Sequence, residues 1–153
     1  MVPKLGPVGP NDNPDAEIKL HNYVESQIGL PFEFGVNDCP LFTLGAIDIM
    51  HSTNYKKDFI GKWSDQKSAW KYAKINGDIY EHLLTWGFKR VNIQFVQIGD
   101  IIIMAQDLAH AKKWRSVAVS MGNKIAIVSN ENGVELVDIR QVPNITGVVR
   151  YGS

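Results

Sequence analysis

Residues 36 to 40, Val-Asn-Asp-Cys-Pro, contain the only cysteine of the chain. Pro40 is typical of the first helical position, because proline has no N–H to lose there and its fixed backbone angle already suits a helix. Asp38 and Cys39 are therefore expected at the N-terminus of a helix, where unpaired N–H groups and the helix dipole favour an anion. Such a position lowers the pKa of a thiol, and the thiolate is the reactive form. Cys39 is thus a candidate nucleophile.

The alternative is that Cys39 is a small buried residue without chemistry, which is how most single free cysteines behave. Position alone leaves both interpretations open. One cysteine cannot form an internal disulfide, and no spacing of Cys and His suggests a zinc site. Neither a metal nor a cofactor is therefore expected.

The order of elements predicts how this cysteine is held. Asp15 is a possible cap for a first helix that ends at Gly29, and the second helix runs from about 40 to 52. The third helix starts with Ser64 as N-cap, and the fourth begins at Asp78. From Phe88 onward, β-branched segments alternate with turns. They read KRVNI, GDIIIM, SVAVSM, KIAIVSN, VELVDI and GVVRYG. We expect an α+β fold in which N-terminal helices pack on a C-terminal antiparallel sheet.

Composition limits the partners. The chain has 153 residues, with 16 basic residues balancing 16 acidic ones. The formal net charge is therefore zero, and no long-range electrostatic attraction to nucleic acid or an anionic membrane is expected. No segment has the apolar length of a signal peptide or a membrane span, which predicts a chain made soluble in a cytoplasm. Residues 1–14 are rich in Pro and Gly and predict an extended arm, and residues 15–153 predict a single domain.

Three segments together resemble the NlpC/P60 superfamily of papain-like cysteine hydrolases, closest to a phage-associated branch. They are F-G-V-N-D-C at 34–39, G-D-I-I-I-M at 99–104 and S-V-A-V-S-M-G-N-K at 116–124. The resemblance implies a papain-like NlpC/P60 fold, with Asp38 and Cys39 at the position of the nucleophile that cleaves amide bonds of bacterial cell-wall peptides. The phage branch further implies assembly into a virion, with tail subunits as partners bound through the N-terminal arm.

The sequence departs from that pattern where the catalytic base is expected. Active relatives begin the next strand with a histidine, and Ser116 stands at that position, although serine cannot accept a thiol proton at neutral pH. His51 lies about 18 Å from Cys39 along the same helix. His110, in the segment QDLAHAKKWR read as a loop before Ser116, remains as an unusual base if this loop folds back.

Two smaller expectations complete the site. An orienting polar group would come from Ser129 or Asn130 on the following strand. Strand alternation puts Ser116, Ala118 and Ser120 on one face, and this small-residue face is expected to border the second helix and its thiol. Trp114, beside basic residues, is the tryptophan best placed for a contact surface, whereas the other three are expected in the core.

Two functions therefore remain open. The first is an NlpC/P60-like domain with a degenerate catalytic site that acts structurally in a phage tail or contacts a peptide of the cell wall. The second is an active cysteine peptidase or amidase in which Cys39 attacks and His110 is the base. The missing histidine favours the first function, because a nucleophile without its base loses most of its rate.

Overall fold

The computed structural model of the protein describes residues 14–108 and 111–152. Four helices occupy the first half of the chain and six strands the second. The helices are α1 Pro14–Gln27, α2 Cys39–His51, α3 Gln66–Asn76 and α4 Ile79–Thr85. The strands are β1 Lys89–Val91, β2 Ile101–Leu108, β3 Ala111–Ser120, β4 Lys124–Ser129, β5 Gly133–Asp138 and β6 Ile145–Arg150. The predicted α+β class, helices followed by an antiparallel sheet, is confirmed.

The helix starts show which capping predictions hold. Asp38 caps α2 through its side chain, as the Asp-Cys-Pro sequence suggests. At α3 the N-cap is Asp65 and not Ser64: the Asp65 carboxylate accepts the Ser68 N–H, and the Ser68 hydroxyl accepts the Asp65 N–H. This reciprocal pair satisfies two helix-end donors at once, which a cap at Ser64 could not do. Asp15 is the second residue of α1, and so lies inside its first turn instead of at the N-cap position.

The strands form one antiparallel sheet in the order β1-β6-β2-β3-β4-β5. Its central hairpin, β2 with β3, is longer than the sequence indicates. The segment interpreted as a loop before Ser116 is largely strand, because β2 reaches Leu108, β3 begins at Ala111, and Gln106 pairs with Trp114. In residues 106–108 and 111–115, cross-strand pairing overrides the polar character of the sequence, so these residues are strand and not loop.

The two faces of the sheet carry two separate apolar clusters. Val117 and Val119 belong to the large cluster that also contains the buried residues of α2 and α4. Ala118 belongs to the second cluster, with Ile102 and Met104, on the opposite face. The expectation that the small-residue face of β3 borders the second helix is therefore wrong. The valine face packs on the helices because it buries more apolar surface there.

Two general findings concern the described part of the chain only. No helix in it combines the length and the apolar character that crossing a bilayer requires. Within residues 14–108 and 111–152, no three His, Cys, Asp or Glu side chains come together in a way that could hold a metal ion.

Candidate functional site

A groove of about 740 Å³ lies beside the N-terminus of α2, between the helices and one end of the sheet. Its walls are rich in aromatic side chains, and Cys39 lies at its inner end. The residues that matter most for its chemistry are Asp38, Cys39, Trp63, Trp70, Lys74, Asp78, Glu81, Trp114, Arg115, Ser116, Val128 and Ser129. A concave, largely apolar site with a few polar groups is the usual form of a ligand-binding site.

The Asp38 carboxylate organises the inner end of this groove. It accepts the Leu41 N–H at 3.1 Å, the Gly35 N–H at 2.9 Å and the Trp63 indole Nε1–H at 2.7 Å. Asp38 is only 2% exposed, so these three donors replace the water that a carboxylate normally binds. One side chain thereby fixes the start of α2, the preceding loop and an aromatic wall.

Cys39 is the first residue of α2, and its thiol donates a hydrogen bond to the Val128 carbonyl of β4 at 3.3 Å. Burial raises the pKa of the Cys39 thiol to about 11, and the negative charge of Asp38 acts in the same direction. This is opposite to the lowered pKa expected from the helix N-terminus. The protonated form of this thiol is therefore favoured at neutral pH.

The hydrogen bond between Cys39 and Val128 lies just beyond the point where β3 and β4 stop pairing. β3 pairs with β4 at Val119–Ala126 and Ser120–Ile125, and among the described residues the ladder ends there. Continuing the register would place Val128 opposite Val117, but these two residues are not paired. The Cys39 thiol instead donates to the Val128 carbonyl. The two strands separate at this point, and residues from both border the groove.

Ser116 borders the groove, and its hydroxyl makes no hydrogen bond with the Cys39 thiol. It pairs with Met104 of β2, and Met104 packs in the cluster on the sheet face away from the helices. The Ser116 Oγ is buried and has no hydrogen-bond partner among the described residues. Ser116 is therefore a buried residue at the edge of the site.

Of the four histidines, His21, His51 and His82 are described, and none of these three borders the groove. His51 lies at the far end of α2, stacked on Tyr151 at 3.9 Å between ring centroids, and burial lowers the pKa of its imidazole to about 4. The His82 Nε2 is buried without a partner among the described residues. His21 is exposed on α1.

His110 lies outside the described residues, as does most of the predicted N-terminal arm. The chain resumes at Ala111, the first residue of β3. Because a strand advances about 3.3 Å per residue, Ala111 is roughly 17 Å from Ser116 along the strand. The extended backbone of β3 thus leads away from the thiol end of the groove.

Three groups in the site carry no signal in the sequence. Arg115 donates to Asp78 at 2.6 Å and to Glu81 at 3.2 Å, and so ties β3 to α4 at one end of the groove. Trp63, expected only as a core residue, is also the indole donor to Asp38. Val128 is 89 positions from Cys39 in the chain, a separation at which no local motif links two residues.

The candidate orienting groups on β4 face other partners. The Ser129 hydroxyl donates to the Glu135 carboxylate of β5 and accepts the Asn132 N–H. Ser129 and Asn130 both border the groove, and Asn130 is exposed. Ser129 is therefore engaged in the β4–β5 turn rather than with an imidazole.

Solved structures with a similar fold come from the NlpC/P60 family. An NlpC/P60 family protein from Bacillus cereus has a TM-score of 0.58 at 18% identity, over 90% of this chain and 40% of that protein. The P60 domain of the M. avium paratuberculosis antigen MAP1272c has a TM-score of 0.51 at 16% identity, over 94% of this chain and 97% of that domain. At these identities the similarity shows a shared NlpC/P60 fold, and the chain spans less than half of the Bacillus cereus protein.

A third structure is RipD from Mycobacterium tuberculosis, described as a non-catalytic NlpC/P60 domain protein adapted to peptidoglycan binding. It has a TM-score of 0.47 at 17% identity, over 88% of this chain and 95% of that one. No curated protein matches the sequence. The model of one family matches residues 12–145, which is most of the chain. This chain therefore belongs to the family described as domain of unknown function DUF6950.

Proposed function

We propose that this chain is a non-hydrolysing NlpC/P60-fold domain that binds a peptide in the groove beside Cys39. The hydrogen bond from the buried Cys39 thiol to a backbone carbonyl is the observation that carries this proposal. Burial raises the pKa of this thiol to about 11, and the Val128 carbonyl accepts its proton. A cysteine hydrolase needs the opposite arrangement, a thiol whose proton passes to a neighbouring base.

The groove itself supports a binding role. Aromatic side chains from the loop before α2, from the segment before α3 and from α3 itself form its walls, and Asp38 holds one of them, Trp63, in place. Aromatic walls bind apolar side chains well because they offer large contact areas with little rotamer entropy to lose. A peptide from the bacterial cell wall is the ligand class that the NlpC/P60 resemblance suggests.

The test is to measure binding and cleavage separately. We expect purified cell-wall muropeptides to bind in calorimetry and to remain intact by mass spectrometry after prolonged incubation. Trp70→Ala, which removes a half-buried groove wall, should weaken binding about tenfold. Cleavage that Cys39→Ala abolishes would contradict the non-hydrolysing role, and no binding of any muropeptide would contradict the ligand class.

The second candidate is the active cysteine hydrolase, and its support is the Asp38-Cys39 pair at a helix start in this fold. It requires a base, for which His110 is the remaining candidate. We expect His110→Ala and the wild-type chain to be equally inactive on muropeptides. A cleavage activity that both Cys39→Ala and His110→Ala remove would favour the hydrolase instead.

The finer biological role is also a proposal. The phage-branch resemblance and the Pro- and Gly-rich residues 1–14 support a chain made in the host cytoplasm and then incorporated into a virion through tail subunits. We expect the chain to sediment with purified phage particles and a variant lacking residues 1–13 to stay in the soluble fraction. A full-length chain that never sediments with particles would contradict this placement.

A further inference from the structure

Positive charge is concentrated in α3 and the segment just before it, although the chain as a whole is neutral. Between residues 56 and 74 there are six lysines, two aspartates and no arginine, a formal charge of +4. Three of the lysines belong to α3 itself and are exposed, namely Lys67, Lys71 and Lys74. A helix turns by about 100° per residue, so these three positions lie within about 60° of its surface. They form one exposed strip, the lysine row.

The surroundings of the lysine row do not neutralise it. Within residues 14–108 and 111–152, none of its three ammonium groups is in an ion pair with a carboxylate. Asp65, the N-cap of α3, accepts the Ser68 N–H at 2.7 Å. Asp78 and Glu81, which follow α3, both pair with Arg115. The row therefore keeps an excess of positive charge that a ligand can use.

The presence of lysine without arginine indicates which anion the row fits. Arginine is favoured where a carboxylate is held by two parallel hydrogen bonds, because its guanidinium is a planar fork. Lysine is a compact charge on a flexible stem, and it binds phosphate without a fixed geometry. Such charges, repeated about every 5–6 Å along a helix, fit a flexible polymer that carries a phosphate in each repeat.

Two other anionic partners fit this surface less well. Single-stranded nucleic acid binds by stacking its bases on aromatic faces, but the Lys74 ammonium already lies over the Trp70 ring, 5.0 Å from its centroid. A bilayer surface needs an apolar helix face. That of α3 packs inward, with Tyr72 against the Phe59 ring. Ile75 is exposed, but one side chain does not make such a face.

We propose that the lysine row binds a linear anionic polymer of phosphate-linked polyols, the chemistry of poly(glycerol phosphate). Lys74 and Trp70 also border the groove, so the polymer lies alongside it. The inference adds a second binding surface to the proposed function and does not depend on what the groove binds. Because the attraction is electrostatic, the affinity falls as the salt concentration rises.

The test measures the binding of poly(glycerol phosphate) by calorimetry at several salt concentrations. The row variant replaces the three lysines of the row by glutamine. A control variant of equal net charge carries three substitutions of exposed lysines on other elements, Lys19→Gln, Lys89→Gln and Lys124→Gln. We expect the row variant to bind about tenfold more weakly than the control. For the wild-type chain, the logarithm of the binding constant should fall with that of the salt concentration with a slope of about −2, the value for three phosphate contacts.

Further measurements separate this polymer from other anions. Oligothymidylate with the same number of phosphates should bind no more tightly, and phosphatidylglycerol vesicles should bind more weakly. On the ¹⁵N-labelled wild-type chain, the polymer should shift the amides of residues 67–74 more than those of β1 and β4. Equal binding by the two variants, shifts centred elsewhere, or tighter binding of oligothymidylate or vesicles would overturn the inference. No binding of the polymer at low salt would also overturn it and would leave the groove-binding proposal intact.

Discussion

The two ends of α2 hold their titratable side chains in the same way. At the N-terminus, burial raises the pKa of the Cys39 thiol from 9.0 to about 11, and at the C-terminus it lowers the pKa of the His51 imidazole from 6.5 to about 4. Both groups are therefore neutral at pH 7. The helix dipole favours the opposite, a thiolate at the first end and an imidazolium at the second.

Burial acts against the helix dipole at both ends of α2. A shift of two pKa units for Cys39 corresponds to about 2.7 kcal/mol, whereas a dipole contributes roughly 0.3–1 kcal/mol at an exposed site and at most about 2 kcal/mol. A cysteine at a helix start is thus no sign of a reactive thiol until the surrounding packing is known. The following predictions test the two ends of α2 in turn.

The largest effect is expected from Asp38→Ala at the N-terminal end. The substitution leaves the Leu41 N–H, the Gly35 N–H and the Trp63 indole without their acceptor in a buried place. We expect a loss of about 3 kcal/mol in the free energy of unfolding, measured by urea denaturation. Asp65→Ala, at the exposed N-cap of α3, is the control and should lower the free energy of unfolding clearly less, because water can replace the lost acceptor there. Equal losses would mean that the buried network adds nothing to the cap.

The next effect appears at alkaline pH. A thiol whose pKa is raised in the folded state stabilises the fold below the unfolded pKa of 9.0, and this contribution is lost as the pH rises toward 11. Relative to Cys39→Ala, the wild-type chain should lose about 2 kcal/mol of unfolding free energy between pH 8 and pH 10.5. All other groups are the same in both chains, so their contributions cancel in the comparison. Parallel stability curves for the two chains would contradict the raised pKa.

The C-terminal end should respond to acid instead. Burial lowers the pKa of His51, so the neutral imidazole contributes to the free energy of unfolding above pH 6.5. This contribution is lost as the pH falls toward 4, because the unfolded chain binds the proton at a higher pH than the folded chain does. His51→Phe retains a ring to stack on Tyr151 and cannot titrate. We expect the thermal midpoint of the variant to fall less between pH 7 and pH 4.5 than that of the wild-type chain. An equal fall would show that other groups cause the acid loss.

The smallest effect is expected just after α2. Ser52 has a φ of 56° and is the one non-glycine residue of the described chain in the left-handed region. Glycine adopts this conformation without a Cβ clash, so Ser52→Gly should stabilise the fold by about 0.5 kcal/mol. Ser52→Ala keeps the strain and should give no gain. The difference between the two thermal midpoints is the measurement.

The sequence predicts elements whose signals are local. The Asp38 cap before Pro40 and the six β-branched segments lead to the observed α2 and to the antiparallel sheet. The prediction of the N-cap residue was wrong at α3, because Ser64 and Asp65 are both good N-cap residues. Only the reciprocal bonds with Ser68 distinguish them.

The chemistry of the site depends on contacts that no local pattern contains. The pKa of Cys39 is set by burial against a strand 89 positions away, and the face of β3 that meets the helices depends on which cluster buries more apolar surface. The β2–β3 hairpin extends through a polar segment because cross-strand pairing stabilises it. The roles of the residues at positions 39, 110 and 116 therefore stay predictions about function, even though the fold is confirmed.

The most direct test of the account is the pH dependence of the alkylation of Cys39 by iodoacetamide in the folded chain. A thiol with a pKa of about 11 should react roughly a hundredfold more slowly than free cysteine at pH 7, and its rate should rise about tenfold per pH unit to beyond pH 10. Cys39→Ala supplies the background rate. A plateau reached below pH 7, the signature of a thiolate paired with an imidazolium, would contradict the account.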